Sequence, residues 1–323
     1  MERLATAWAI FQGLLLEALP FLLIGVLLAG LARWLAPGGD WLRRLPDQPL
    51  LGPLSGAALG FALPACECGN VPVARRLLAG GAPLGTALGF LFAAPVLNPI
   101  VLASTWAAFP NQPWLLAARP LGALVLAVAL SRLLSLMPEG QLLALPLLEE
   151  RRLVQPLSSV GLLERRSGLV GLPATADAAV SAARGAPPRP PLTDVLEHSS
   201  REFLDLAALL VMGCAIAALV QTVLPRQWLL AVGSAPTLSV LSLMLLAVVV
   251  SVCSSVDAFL ALGFAAQITP GALLAFLVLG PVVDLKLLGL LGVVLQPRAI
   301  ALTAAGAAVL VLLLGQWLNL LLL

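Results

Sequence analysis

Runs of about twenty apolar residues, cut apart by proline, glycine and charge, recur along the whole sequence and restrict its fold more than any other feature. Inside a bilayer every backbone N–H and C=O must be satisfied by the chain itself, so only helices and closed barrels span it. A barrel would alternate apolar and polar residues in stretches of about ten, flanked by aromatic girdles. The runs here are dominated by Leu and Ala, and the chain contains no Tyr. The expected class is all-α, a polytopic membrane helical bundle. Composition agrees, because only 11% of the residues are charged, against about 25% in soluble domains. The net charge of +2 is small and scattered, so it points to no nucleic acid partner. Membrane lipid is the expected surrounding.

Taken in order, residues 5–36 read as a retained first span. The run is too long for a signal peptide, carries Glu17 and lacks an Ala-x-Ala exit. A polar connector with Asp40, Arg43, Arg44 and Asp47 leads to a Gly-rich second span, 50–65, which runs into Cys66-Glu67-Cys68. Pro64 and Pro72 flank that tripeptide and predict a helix break there. Residues 73–80 then make a half-helix bearing Arg75 and Arg76. Pro83 opens a helix over 83–108 that Pro95 and Pro99 break near Asn98, and 114–137 reads as a plain fourth span. From 138 to 200 the chain turns hydrophilic and proline-rich, which predicts a largely disordered linker with a short helix near 141–155. Spans resume at 202–224, 236–252, 270–295 and 299–323, while 253–267 is too short to cross. The expected organisation is a first membrane repeat, 1–137, a cytoplasmic linker, 138–200, and a second membrane repeat, 201–323.

The two membrane parts match each other. At an offset of 186 to 188, Glu17 meets Asp205, Gly25 meets Gly213, Pro37 meets Pro225, Cys66 meets Cys253, Asn70 meets Asp257 and Pro83 meets Pro270. Further on, Phe90 meets Phe276, Pro95 meets Pro281 and Asn98 meets Asp284. Duplicated halves with helix breaks in corresponding places are the plan of secondary transporters, whose sites lie between the breaks. Four spans per half make the repeats parallel, whereas an odd number of crossings inverts them. The expectation here is four spans and one re-entrant piece per half.

Polar groups at membrane depth are costly and mark candidate sites. Glu67, Asp257 and Asp284 stand beside predicted breaks, where a carboxylate can take and release a proton as access alternates. Lys286, two residues past Asp284, is an available salt-bridge partner. Glu17 and Asp205 fit either that role or interhelical packing. Cys66, Cys68, Cys214 and Cys253 all fall in or beside apolar segments and are expected as free thiols. Cys66 and Cys68 can line a cavity, ligate a soft species, or simply pack as small apolar residues. The one histidine, His198, is remote in sequence, so a closed zinc site is not expected. Asn70 and Asn98 suit freed backbone groups or a substrate, and Arg75 and Arg76 suit an interface anchor or an anion contact. No G-x-x-x-x-G-K-[ST] phosphate loop is present, so neither ATP nor another cofactor is expected.

Three motifs, Pro64-x-Cys66-x-Cys68-Gly69-x-x-Pro72, Gly80-Gly81-x-Pro83-x-Gly85 and Ala94-Pro95-x-x-Asn98-Pro99, resemble a family of predicted permeases that includes the bacterial organoarsenical efflux permeases. The resemblance covers nearly the whole chain. It implies a multi-span inner-membrane permease of a small molecule or ion, with efflux of trivalent organoarsenicals belonging to some members. The chain departs from a symmetric thiol pattern, having Cys253-Ser254-Ser255 where the first half has Cys66-Glu67-Cys68. The resulting expectation is a secondary-type efflux permease for an organoarsenical or another thiol-reactive solute. Two other classes stand beside it: a membrane-embedded thiol oxidoreductase using Cys66 and Cys68, although redox dithiols more often read C-x-x-C, and a non-transporting scaffold subunit. Arg132, Arg151, Arg152 and Arg201 place the linker in the cytoplasm, with Arg43, Arg44 and Arg226 on the other side.

Overall fold

A computed structural model describes residues 2–35, 42, 44–63, 66–154, 191–223 and 236–322. In chain order the helices are α1 (Glu2–Leu35), α2 (Leu51–Ala62), α3 (Glu67–Ala79), α4 (Leu84–Ala93), α5 (Pro99–Ala108), α6 (Pro113–Ser135), α7 (Glu139–Leu142) and α8 (Leu145–Val154). After the linker come α9 (Leu192–Val223), α10 (Pro236–Val250), α11 (Asp257–Leu262), α12 (Pro270–Leu279), α13 (Leu285–Leu291) and α14 (Pro297–Leu322). The chain is an all-α membrane bundle. The expectations that rest on Pro37, Asp40, Arg43, Pro64, Pro225, Arg226 and linker residues 155–190 fall outside the described residues.

Only α1, α6, α9 and α14, among the described helices, are long and apolar enough to cross a bilayer alone. The spans expected at 50–65, 83–108, 236–252 and 270–295 are shorter pieces. A 12-residue helix such as α2 is roughly 18 Å long, well short of the ~30 Å hydrocarbon core. Where 83–108 was expected as one broken helix, α4 and α5 are separated at 94–98; α12 and α13 are separated likewise at 280–284. Each break has a cap at its far side. Asn98 accepts from the Ile100 N–H at 2.9 Å, and Asp284 accepts from the Leu287 N–H.

Burial follows sequence pattern. From Thr86 to Ala93 in α4 and from Gly271 to Leu279 in α12 every residue is buried, as expected for helices that are apolar all round. The long helices keep one outward apolar face, with Leu4, Trp8, Leu16, Leu219, Leu313 and Trp317 exposed toward lipid.

Contacts fix the direction of the short pieces. α2 runs alongside α4 in the same sense, Gly52 and Gly56 facing Thr86 and Gly60 facing Ala94. α3 then turns back. Its start lies against the middle of α1, where a methyl on Gly25 would stand 2.3 Å from the Gly69 carbonyl oxygen. Its end reaches the linker side, where Arg75 pairs with Glu150 of α8 at 2.6 Å and Glu202 of α9 at 3.0 Å.

Two expectations about the linker side change. Residues 139–152 are partly buried rather than wholly solvated: the buried Arg151 donates to the Leu78 and Ala82 carbonyls at 2.9 and 2.8 Å and pairs with Glu139. It thereby satisfies carbonyls at the α3 C-terminus. The 44–50 connector also belongs to this side, because Asp47 and Gln48 line a polar recess of about 530 Å³ with Arg132, Ser135, Glu139 and Arg151. Arg44 therefore does not stand opposite the linker.

Candidate functional site

Cys66 has extended backbone and forms the N-cap of α3, so Glu67 occupies the first helical position. A carboxylate there is favoured by the unpaired N–H groups and the helix dipole. Pro72 was expected to break the chain, yet α3 runs through it. Pro72 lacks the N–H that would have reached the Cys68 carbonyl.

The opposing wall comes from the second half. α10 ends at Val250, and residues 251–256 form a non-helical strap before α11. Ser251 opens it at φ 49°, a left-handed conformation unusual for a residue other than glycine. The strap places the Cys253 thiol 3.6 Å and the Ser254 hydroxyl 3.5 Å from Glu67 Oε2, both donating. A third piece arrives from the α12–α13 break. Lys286 Nζ stands 3.6 Å from Glu67 Oε1 and 3.8 Å from Asp284 Oδ2. Ser251 Oγ accepts from the Leu285 N–H at 3.0 Å, tying strap to break. Gly213 on α9 lets α13 approach, since a methyl there would lie 3.0 Å from Lys286 Cα.

Glu67 and Cys66, Cys68, Asn70, Cys253, Asp284 and Lys286 are all buried. Burial of so many polar atoms demands partners. Glu67 Oε1, Asp284 Oδ2, Lys286 Nζ and both amide atoms of Asn70 have no hydrogen-bond partner. An ammonium carries three donors, and here it meets its counter-ions only at ionic distance. Glu17 on α1 adds a further carboxylate within electrostatic reach of Lys286 and Glu67. Ligand atoms of Cys66, Glu67 and Cys253 lie within 4.8 Å of one another. Two sulfurs and one oxygen, without histidine and beside an ammonium, are a donor set for soft centres, thiol-reactive species and soft metal ions alike.

The remaining expected residues are placed differently. Asp257 makes no hydrogen bond within this cluster, although Glu67 is within electrostatic reach; its Oδ2 accepts from Arg119 at 2.6 Å. Asp205, the sequence counterpart of Glu17, is exposed on α9. Arg75 is taken by Glu150 and Glu202, and Arg76 is half-buried near Arg33 and the same two carboxylates, so neither forms the mouth of the cluster. Asn98 is buried and caps α5.

One residue went unnoticed in the sequence, and another was read there only as a free thiol. Arg119 is fully buried in α6, a segment that reads as a plain span. Cys214, also fully buried, lies within electrostatic reach of Lys286, Asp284 and Glu17. All four cysteines therefore border the same cluster.

The whole-chain comparisons agree with this architecture. The model of the family described as "Predicted permease" matches residues 3–320. A relative from Bacillus subtilis strain 168, UPF0718 protein YcgR, is 35% identical over 304 residues, covering 94% of each chain. A Streptococcus mutans serotype c chain, whose name describes a two-component membrane permease complex subunit, is 31% identical over 280 residues, 86% of this chain and 83% of that one. No solved structure matches at a significant level. With its long apolar helices and a match running almost end to end, the chain belongs to the predicted permease family and is a multi-pass membrane transporter.

Proposed function

We propose that this permease exports a small thiol-reactive solute by secondary transport, holding it between Cys66 and Glu67 on one wall and Cys253 on the other. The observation that carries the reading is the convergence of unpartnered buried polar atoms on the thiol cluster. Buried polar atoms without partners are expensive in any structure that has no use for them. A cargo that bonds sulfur and oxygen supplies what Glu67 Oε1 and the thiols lack. Trivalent organoarsenicals have that chemistry. Glu67, Asp284 and Glu17 share one ammonium, so a proton is the natural coupling ion. The reading also accommodates a second subunit, the arrangement named for the Streptococcus mutans relative.

The two halves are, in this reading, inverted repeats. In each, one long helix, a re-entrant hairpin, one broken crossing and a second long helix follow in the same order. Three crossings per half reverse the second half relative to the first. The parallel arrangement with four spans does not suit helices of the observed lengths.

The test is uptake of a trivalent phenylarsenical into everted membrane vesicles, with an imposed pH gradient and matched protein amounts. Glu67→Gln, Cys66→Ser and Cys253→Ser are each expected to lower the initial rate by about tenfold or more, as for a lost interaction in the transition of the cargo. Full flux in all three variants sinks the assignment.

A further inference from the structure

The buried arginine of α6 has no part in the cluster just described, and a bilayer interior is a costly place to keep it. Arg119 is 0% exposed. Its guanidinium grips three elements at once. Nη1 donates to Thr105 Oγ1 of α5 at 2.7 Å, and Nη2 donates to Asp257 Oδ2 of α11 at 2.6 Å and to the Ser254 carbonyl at 3.2 Å. Ser254 is also the residue whose hydroxyl touches Glu67. One strap residue thus has its carbonyl held by Arg119 and its side chain against the cluster.

The strap itself is weakly self-supporting. Its internal bonds run from the Val256 and Asp257 N–H groups to the Cys253 carbonyl, at 2.9 and 3.0 Å, and its first residue is in the left-handed region. Such a segment stays in place only when its surroundings over-determine it. Packing alone does not require an ion pair at this position, since apolar residues of similar volume often replace a buried pair without loss of stability. A fork with fixed donor geometry offers what apolar side chains do not, which is a defined position for the carbonyl it binds.

We infer that Arg119 is the positioning residue of the second wall: it holds the 251–256 strap through Ser254 and Asp257, and so sets where Cys253 and Ser254 stand against Glu67. The inference rests on the assignment of Glu67 and Cys253 to the cargo site, but its test does not use transport. Arg119 couples α6, in the first half, to the part of the second half that faces the cargo. Loss of its grip frees the strap without removing any group from the cluster.

The experiment measures N-ethylmaleimide labelling of Cys253 in proteoliposomes, in full-length protein with Cys66, Cys68 and Cys214 changed to Ser. The parent labels slowly because Cys253 is 2% exposed. Arg119→Gln is expected to raise the rate by about tenfold or more, the opening expected when charge-assisted hydrogen bonds to a mobile segment are lost. Exchanging the pair, Arg119→Asp with Asp257→Arg, keeps the ion pair but leaves the Ser254 carbonyl without a donor, because a carboxylate only accepts, and the rate stays raised. Should Arg119→Gln fail to fold, Arg119→Lys keeps the charge but not the fork, and an intermediate rate is expected. A parental rate in whichever of these single variants elutes as a monodisperse species overturns the inference. A chain that carries no arsenical yet labels faster in the variant loses the cargo assignment and keeps this one.

Discussion

Among the described residues, Lys286 is the one cation facing the carboxylates of Glu67 and Asp284, and it is 0% exposed. Removing one partner of a buried ion pair costs about 3–5 kcal/mol, because the charge left behind has neither water nor counter-ion. Lys286→Met is therefore expected to lower the thermal unfolding midpoint in detergent sharply. Adding Glu67→Gln and Asp284→Asn to it removes the orphaned charges and restores most of the loss. A triple variant no more stable than the single one would show that the lysine acts through packing instead. At this scale the sequence pointed to Glu67, Asp284 and Lys286, ionisable groups beside apolar runs, and these three stand together. Arg119 satisfied the same criterion, an ionisable group inside a span, and was passed over because its partner, Asp257, is 138 residues away. Cys214 looked apolar because a cysteine in a Leu-rich helix usually is.

Among elements, the breaks were legible and their consequences were not. Proline marks where α4 and α12 begin and where α4 and α12 stop, since it fixes φ and removes an N–H. A run of twelve apolar residues ahead of a proline, however, reads alike for half of a kinked span and for one arm of a hairpin. Tertiary contact decides between them. α2 and α3 close on their neighbours through glycine, and the approach that seats the start of α3 is Gly25 against Gly69. An added methyl at Gly25 would meet backbone at 2.3 Å, and backbone cannot rotate aside. Gly25→Ala is thus expected to cost about 1–3 kcal/mol, the range for overpacking, and to displace the start of α3 with Glu67. Gly213→Ala, whose nearest contact would be 3.0 Å from Lys286 Cα, costs less. Unfolding midpoints of the two variants in the same detergent check the order; equal losses would mean that α1 and α3 separate freely.

At the level of the whole molecule, each membrane part contributes a wall that is incomplete alone. Cys66 and Glu67 come from the first, and Cys253, Ser254, Asp284 and Lys286 from the second. The halves also meet along α1 and α9, through α6 against α14, and in the Arg75 pairing with Glu202. Contacts of that extent resemble one domain core divided by sequence. Repeat matching set Cys66 against Cys253, and the two thiols stand close together. It did not indicate the crossing number, which depends on which short helices turn back. The division of labour can be tested by cutting the chain. Co-expressing residues 1–170 with 171–323 is expected to give two fragments that purify together through one affinity tag and retain flux of the arsenical probe within about threefold, since tethering mainly raises the effective concentration of a partner already bound. Fragments that assemble only when joined would make the linker a structural part of the site side, and would place residues 155–190 among the elements that hold the walls together.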